Sequence, residues 1–267
     1  MILWCDGAHE AAENMLRDAA LLAAAAAAGP AAPAVLRAYR FEPAGITLGH
    51  AQDPARELDL DRCRRDGVGW AVRPTGGRAI FHADEWTYAL AARLDDAEWG
   101  GSLSTAYARA SRLLLDALAS LGVPARLAMA PERSAATPGR GRGGPAAPCF
   151  ASTARHEIVV GDRKLVGSAQ RRTGGALLQQ GSVLLGGGHL RLADYLALPE
   201  ARRTTVREAL GEAAVGAGRW LGSDLGLERW AGALEAALAG RVRRFDGASG
   251  LFVLTASEAG SYTPPFA

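Results

Sequence analysis

The chain has 267 residues, of which 49% are hydrophobic and 6% aromatic, so its length suits one large domain or two small ones with an aliphatic core. This composition excludes a disordered chain. The formal net charge of +2 is too small to indicate nucleic-acid binding. The three cysteines, Cys5, Cys63 and Cys149, are widely spaced and fit neither a disulfide framework nor a zinc site, so we expect no metal and a reducing cytoplasm.

An alanine-rich segment at residues 15–35 has the apolar character of a targeting signal. A signal peptide, however, starts with basic residues, and this segment is preceded or entered by the acids Asp6, Glu10, Glu13 and Asp18. It is also too short to span a bilayer. We therefore predict an amphipathic helix over residues 9–28, ended by Gly29-Pro30, and no membrane association.

The rest of the first half alternates strand and helix signals. Apolar runs predict strands at residues 34–41, 45–48, 68–72, 79–81 and 87–94. Helices are predicted at 53–66, where Asp53 precedes Pro54, and at 104–121, where apolar residues recur every three or four positions. A loop at residues 73–78 separates two of the strands.

The second half opens with a loop at residues 131–148 that is rich in Gly, Pro and Arg, and loops of this length are usually functional or disordered. Residues 157–160 and 163–171 predict a hairpin around Gly161-Asp162, and residues 176–185 add a third strand. Helices are predicted at 205–220 and 227–238. The fold class that follows is α+β: one domain over residues 1–267, with mixed or antiparallel sheets and helices packed on one face.

Cys149 and Lys164 form the first candidate site. A thiol carries out acyl transfer as its thiolate, and a nearby ammonium lowers the thiol pKa toward neutrality. Cys149 ends the Gly/Pro/Arg loop, and Lys164 lies fifteen residues later in Gly161-Asp-Arg-Lys164. The alternative is a buried structural cysteine and a solvated lysine.

Two further blocks could bind a ligand. Arg73-Pro-Thr-Gly-Gly-Arg78 is followed by His82, and paired glycines let a backbone approach a ligand closely while arginines can hold a carbonyl or phosphate. The other block comprises Gly167-Ser-Ala-Gln170 and Gln179-Gln-Gly-Ser182. Taken singly, each pattern could be no more than a tight turn.

Together these blocks resemble the biotin/lipoate protein ligase family, and most closely its cysteine-dependent octanoyltransferases. The resemblance runs in order through Ala12-Glu-Asn-Met15, Ile46-Thr-Leu-Gly49, Gln52, Arg73-Pro-Thr-Gly-Gly-Arg78, His82, Glu85-Trp-Thr-Tyr88, Cys149-Phe150, Glu157, Gly161-Asp-Arg-Lys164, Gly167-Ser-Ala-Gln170 and Gln179-Gln-Gly-Ser182. It therefore covers most of the chain and implies the fold of that family's catalytic domain.

The resemblance implies a chemistry and a site. Such enzymes pass an octanoyl group from acyl carrier protein to a lysine of a lipoyl domain or of the glycine-cleavage H protein, without a cofactor. Cys149 matches the acyl-thioester nucleophile, and Lys164 matches the lysine that lowers its pKa. The matching substrate-binding residues are Arg73, Gly76, Gly77, His82, Gly167, Ser168, Ala169, Gly181 and Ser182.

The chain departs from this pattern at Gln180, where the family commonly has histidine, and in its expanded loop before Cys149. Three alternatives therefore stay open: an ATP-dependent lipoate ligase, a lipoyl amidotransferase and a non-catalytic acyl-binding relative. Arginines also cluster in the second half, as a solvated face or as a docking surface for an acidic carrier protein, at Arg140, Arg142, Arg163, Arg171, Arg172, Arg202, Arg203 and Arg207.

Overall fold

The computed structural model describes residues 1–128 and 157–246. In chain order these residues form β1 (Ile2–His9), α1 (Ala11–Ala27), β2 (Val35–Phe41), β3 (Gly45–Leu48), α2 (Pro54–Glu57), α3 (Leu60–Arg65), β4 (Gly69–Val72), β5 (Ile80–His82), β6 (Glu85–Arg93), α4 (Leu103–Ser120), β7 (Arg126–Leu127), β8 (Ile158–Val160), β9 (Arg163–Thr173), β10 (Ala176–Leu184), a 3-10 turn (Gly188–Arg191), α5 (Leu192–Tyr195), α6 (Glu200–Ala213), α7 (Gly218–Leu221), α8 (Leu227–Ala237) and β11 (Arg243–Asp246).

The strands form two sheets. The larger has the order β11-β1-β2-β6-β10-β9-β8-β7, and the smaller has the order β4-β3-β5. In the larger sheet, β1 is parallel to β2 and to β11, whereas all other pairs are antiparallel. Strand β10 lies between β6 and β9, so that Gly181 is paired with Tyr88 on one side and with Ser168 on the other.

Helices cover both faces of the larger sheet. Alternate residues of a strand point to opposite faces, and Leu3 and Trp4 of β1 accordingly belong to different cores. Leu3 packs in the core that contains α4 and α8, whereas Trp4 packs in the core that contains α1. A third core lies between the small sheet and α5–α6. The mixed α+β class is confirmed, and α1 occupies the face opposite to α4 and α8 instead of sharing a single helical face with them.

The predicted helix at residues 53–66 is two short helices, because each segment has its own N-cap. The Asp53 side chain accepts a hydrogen bond from the Ala55 amide, and the Asp59 side chain accepts one from the Arg62 amide. Between them, Leu58 forms an isolated β-bridge with Leu196.

The predicted helix at 205–220 is also interrupted, since the chain there attaches to the larger sheet. Ala214 forms a parallel bridge with Lys164, and the Val215 amide donates to the Lys164 carbonyl oxygen at 3.0 Å. A side chain at Gly216 would lie 2.5 Å from the Leu185 carbonyl oxygen. The backbone therefore leaves the helical path after Ala213.

The sequence analysis missed the pairing of β1 with β11, which forms one edge of the larger sheet. The run Ile2-Leu3-Trp4-Cys5 has the β-branched and aromatic character of a buried strand, and that signal could have identified β1. The predicted loop at 131–148 lies outside the described residues. Within residues 1–128 and 157–246, no helix combines the length and apolar character needed to cross a bilayer.

Candidate functional site

A narrow pocket opens between the two sheets. The small sheet and its loop supply Thr47, Arg73, Ile80 and His82, and strands β9 and β10 supply the facing wall. The facing wall comprises Gly167, Ser168, Ala169, Gln180, Gly181 and Ser182. Helix α1 and strands β2 and β6 supply the remaining lining residues, Met15, Tyr39, Phe41 and Thr87. Apolar and polar side chains thus share one narrow space, as ligand pockets require.

His82 is fixed at the pocket wall by partners on both ring nitrogens. Its Nδ1 lies 2.7 Å from Glu85 Oε1, and its Nε2 lies 2.7 Å from Thr47 Oγ1. The ring also stacks on Phe41 with 3.9 Å between centroids. The same Glu85 oxygen accepts hydrogen bonds from Thr87 and Ser182. A single buried carboxylate therefore orients three pocket residues.

Arg73 folds the loop at 73–78 around its guanidinium. The guanidinium donates to the carbonyl oxygens of Gly76, Arg78 and Thr47, at 2.8, 2.8 and 3.2 Å. Arg73 is buried, so these bonds satisfy a charge that burial would otherwise make costly. The sequence suggested that Arg73 holds a ligand carbonyl or phosphate, whereas these contacts show it holding carbonyl oxygens of the protein itself.

Two glycines are required where backbones meet at the pocket. A β-carbon at Gly49 would lie 2.0 Å from the Gly77 carbonyl oxygen, and one at Gly181 would lie 2.4 Å from the Gly167 carbonyl oxygen. Both distances are far shorter than van der Waals contact. Gly49 therefore lets the loop at 73–78 approach β3, and Gly181 lets β9 and β10 approach each other beside Tyr88.

A buried polar network lies beneath the pocket, in the core between α1 and the larger sheet. The guanidinium of Arg37 pairs with Asp6 and Asp18, each at 2.6 Å. Asp18 Oδ2 also accepts hydrogen bonds from the Tyr39 hydroxyl and the Gln180 amide, each at 2.8 Å. Burial raises the pKa of the Asp18 carboxyl, and the charge of Arg37 opposes that rise. Burial also raises the pKa of Tyr39, so its hydroxyl stays protonated and donates.

Lys164 lies at the start of β9 and is buried together with Glu157. Its Nζ donates to Glu157 Oε1 at 2.6 Å, and both side chains are more than nine-tenths buried. Its backbone is held by Val215, as described above. The ammonium group is thereby held at a fixed position beside Glu157, which directly follows the residues that the structure does not describe.

The predicted site residues divide into four groups. Those that line the pocket together are Arg73, His82, Gly167, Ser168, Ala169, Gly181 and Ser182. Gly76 and Gly77 are exposed in the adjoining loop, and Lys164 is buried beside Glu157. Cys149 lies outside the described residues. The two glycine-containing blocks, which are far apart in the sequence, do meet at one pocket.

Several pocket residues were not identified from the sequence. Thr47, Tyr39, Phe41, Ile80 and Thr87 line the pocket but belong to strands whose sequences are typical of any buried sheet. The polar residues Arg37 and Tyr39 within the apolar run 35–41 were a usable signal, because a buried charge needs a partner.

Cys5 and Cys63 are both buried. Burial and a hydrogen bond to Glu228 raise the pKa of Cys5 to about 12, and burial raises the pKa of Cys63. Among the described residues, Cys5, Glu228 and Asp246 are close enough to ligate one metal ion. Arg244, however, pairs with both carboxylates, so this cluster is satisfied as an ion-pair network.

Comparison with known proteins identifies the family. Residues 10–239 match the model of the lipoyl protein ligase A/B catalytic domain. The chain is 39% identical to Octanoyltransferase LipM of Symbiobacterium thermophilum over 214 residues, which cover 74% of each protein. It is 35% identical to Octanoyltransferase LipM of Kyrpidia tusciae, over 84% of this chain and 80% of that protein.

Solved structures agree in fold. A bipartite lipoate protein ligase from Thermoplasma acidophilum, described together with its E2 lipoyl domain, has a TM-score of 0.71 at 19% identity, over 97% of this chain and 89% of that one. A lipoate-protein ligase A bound with ATP has a TM-score of 0.67 at 19% identity, over 97% and 92%. At such identities the likeness concerns the fold alone, and it confirms the predicted catalytic-domain architecture.

Proposed function

The chain belongs to the lipoyl protein ligase A/B catalytic-domain family and is an acyltransferase, and on that premise we propose that it transfers octanoyl groups through a thioester on Cys149. The proposed donor is octanoyl-acyl carrier protein, and the proposed acceptor is a lysine of a lipoyl domain or of the glycine-cleavage H protein. We further propose that the chain is a single catalytic domain and that the transfer serves lipoate assembly.

One observation carries this proposal: the two glycine-containing blocks line one pocket, and they share it with apolar side chains. Met15, Phe41 and Ile80 offer hydrocarbon contact, which suits an eight-carbon chain because burial of each CH₂ contributes about 0.8 kcal/mol. Around these side chains, Ser168, Ser182 and His82 offer polar contacts. In this proposal the acyl chain occupies the apolar part, and the glycines of β9 and β10 allow its close approach.

The proposed reaction has two steps. The Cys149 thiolate attacks the donor's thioester carbonyl, the carbon–sulfur bond of the donor breaks, and the carrier leaves as its thiolate. The acceptor lysine amine then attacks the enzyme thioester, forms the amide and releases the Cys149 thiolate, with the amine's proton passing to solvent. Splitting the transfer into these steps avoids a single reaction between two large proteins. No resident cofactor takes part in either step.

Lys164 has two roles in this scheme. A buried ammonium stabilises the thiolate relative to the thiol, and it stabilises the oxyanion that forms when the carbonyl is attacked. Cys149 precedes Glu157 by eight residues, and Glu157 contacts Lys164 directly. The segment that bears the thiol is thus tied in sequence to the residue that holds the ammonium.

Intact-protein mass spectrometry tests the proposal. After incubation with octanoyl-acyl carrier protein, the wild-type protein should gain about 126 Da, the mass of one octanoyl group replacing a hydrogen. Cys149→Ser should gain no hydroxylamine-labile adduct and should not modify an acceptor domain. Cys63→Ser is the matched control, since Cys63 is a buried thiol outside the pocket.

The same assay separates the alternatives. A lipoate ligase would modify the acceptor only with free acid and ATP, and Cys149→Ser would retain that activity. An amidotransferase would take its acyl group from a lysine of an octanoylated protein and would leave the carrier thioester intact. A non-catalytic relative would bind octanoate without forming an adduct or a product. Any of these results would overturn transfer from the carrier protein.

A further inference from the structure

We propose that Gln180 is a positioning residue that fixes the 73–78 loop against the pocket by joining Thr75 to the buried Asp18–Arg37 pair. The inference rests on the proposed function only for its kinetic readout. Thr75 and Gln180 are 105 positions apart in sequence, and the Thr75 hydroxyl donates to Gln180 Oε1 at 2.8 Å. Both side chains are buried.

The nitrogen of the Gln180 amide is bound to a charged side chain. Its Nε2 donates to Asp18 Oδ2 at 2.8 Å, and Asp18 Oδ1 accepts from Arg37 at 2.6 Å. Hydrogen bonds to charged groups are stronger than those between neutral groups. The amide therefore cannot rotate without losing a bond to a buried carboxylate, and its oxygen is held toward Thr75.

The connection matters because of where Thr75 lies. It is at the centre of the loop whose first residue, Arg73, lines the pocket, and whose Gly77 carbonyl oxygen packs on Gly49. The Thr75 carbonyl oxygen also accepts a hydrogen bond from the His50 amide at 2.9 Å. Displacing Thr75 would therefore move the pocket rim and its attachment to β3 together.

The role requires one donor and one acceptor, and no titrating group. A neutral imidazole also offers one of each, so Gln180→His can form both bonds. Gln180→Leu can form neither. Gln180→Glu can form both only when a proton is shared between the introduced carboxyl and that of Asp18, because a protonated carboxyl donates through its hydroxyl and accepts through its carbonyl oxygen.

The charged and titratable groups around this point make the glutamate variant informative. They are Asp6, Asp18 and the partly exposed Glu13, opposed by Arg17 and Arg37, with His9 beside Asp6 and Tyr39 protonated beside Asp18. Three carboxylates thus already share two guanidinium groups, so a carboxylate introduced at position 180 has no counter-ion of its own among these groups. The defect of Gln180→Glu should consequently shrink as the pH falls and the added carboxyl is protonated.

Amide hydrogen exchange at His50 tests the proposal without any substrate. Gln180→Leu and Thr75→Val should each speed exchange of the His50 amide by about tenfold, whereas Gln180→His should leave it near the wild-type rate. The double variant Gln180→Leu/Thr75→Val should exchange no faster than either single variant, because both remove the same connection. Amides of β6 serve as the reference for global opening.

Octanoyl transfer supplies the second readout. Gln180→Leu should raise KM for the donor about tenfold with a smaller change in kcat, since a displaced rim weakens binding. Gln180→His should restore KM. For Gln180→Glu, the ratio of variant activity to wild-type activity should increase as the pH is lowered from about 8 to about 5.5.

A matched control separates positioning from stability. Gln179→Leu removes a neighbouring buried glutamine that bonds to Tyr88 and Gln170 instead of Thr75, so it should lower the melting temperature without faster exchange at His50 relative to β6. If Gln180→Leu leaves His50 exchange and KM unchanged, or if Gln180→His behaves like Gln180→Leu, the proposal is overturned. Absence of octanoyl transfer in the wild type would refute the proposed function. The hydrogen-exchange result would still decide whether Gln180 positions the loop.

Discussion

Lys164 Nζ lies 2.6 Å from Glu157 Oε1, and the two side chains are buried together at the start of strand β9. A buried ion pair adds little stability compared with a well-packed apolar pair, but removal of one partner leaves an uncompensated buried charge, which is strongly destabilising. The pair therefore fixes both the position and the charge of the ammonium group that the proposed mechanism uses.

Breaking this pair should destabilise the protein more than replacing it. Lys164→Met and Glu157→Leu should each lower the free energy of unfolding by about 3 kcal/mol, and the double variant should cost clearly less than the two together. Urea denaturation measures all three. The exposed pair Arg64–Asp61 is the control, and Arg64→Met should cause no measurable change. Additive losses would show that the pair is not coupled.

Thiol alkylation should distinguish the three cysteines near neutral pH. Burial keeps the pKa of Cys5 at about 12 and raises that of Cys63, so both react slowly as folded thiols. Cys149 should be labelled first by iodoacetamide, and Lys164→Ala should move its labelling to higher pH because an ammonium stabilises the thiolate. Peptide mass spectrometry reads each site, with the urea-unfolded chain as reference. Equal rates for Cys5 and Cys149 would contradict this.

Alanine should not be tolerated where two backbones meet at the pocket. Gly49→Ala and Gly181→Ala should each cost about 2 kcal/mol or more and reduce transfer, since the new β-carbon would meet a carbonyl oxygen at 2.0 or 2.4 Å. Gly232→Ala, in open space on helix α8, should instead stabilise by about 1 kcal/mol. Thermal and urea unfolding compare the three. A fully stable Gly181→Ala protein would mean that β9 and β10 can separate there.

Arg202 is the cleanest test of a docking surface for an acidic carrier protein. Its side chain is exposed on α6, whereas Arg171 donates to the Pro74 carbonyl oxygen and Arg203 pairs with Asp59. Arg202→Glu should raise KM for the carrier about threefold with kcat unchanged, and wild-type KM should rise with salt. Arg171→Glu should also lower kcat, because it loses a contact with the 73–78 loop. Salt-independent kinetics would identify a solvated face only.

Stability should fall in mild acid partly because of His189. Burial lowers the pKa of His189 in the folded state, so the unfolded chain binds its proton first as the pH drops below about 6.5. The stability contribution is therefore present above that pH and is lost below it, at no more than about 1.4 kcal/mol per pH unit. His189→Gln should flatten this dependence between about pH 7 and pH 5 in urea unfolding experiments. An unchanged slope would assign the acid sensitivity to other groups.

The sequence predicted the elements whose signals are local. The helix at α1, the strand β3 and the hairpin of β8 and β9 lie where apolar periodicity and turn residues indicated them. Two helices were predicted too long, because Asp59 starts a new helix and Ala214 joins β9. Such interruptions depend on partners far away in the chain, which periodicity does not encode.

The candidate site divides in the same way. The residues of the two glycine-containing blocks could be named from the sequence, and seven of the predicted residues do line one pocket: Arg73, His82, Gly167, Ser168, Ala169, Gly181 and Ser182. The partners that hold these residues could not be named from the sequence. Glu85 meets His82 and Ser182 only in the folded chain, and Gln180 on β10 meets Asp18 on helix α1. The sequence identified Gln180 only as a departure from the family's histidine, and its hydrogen bonds to Asp18 and Thr75 require no titration.

Strand β1 is enclosed between β2 and β11, and this arrangement delays its completion during synthesis. Ile2–Cys5 pair in parallel with Arg243–Asp246, so one edge of β1 has no partner until about 240 further residues have been translated. At cellular elongation rates that interval is about 10–50 s. Throughout it, a nascent chain exposes the backbone groups of an apolar strand, which are a template for pairing with other chains. Among the strands of residues 1–128 and 157–246, the last to leave the ribosome is thus the one that covers β1.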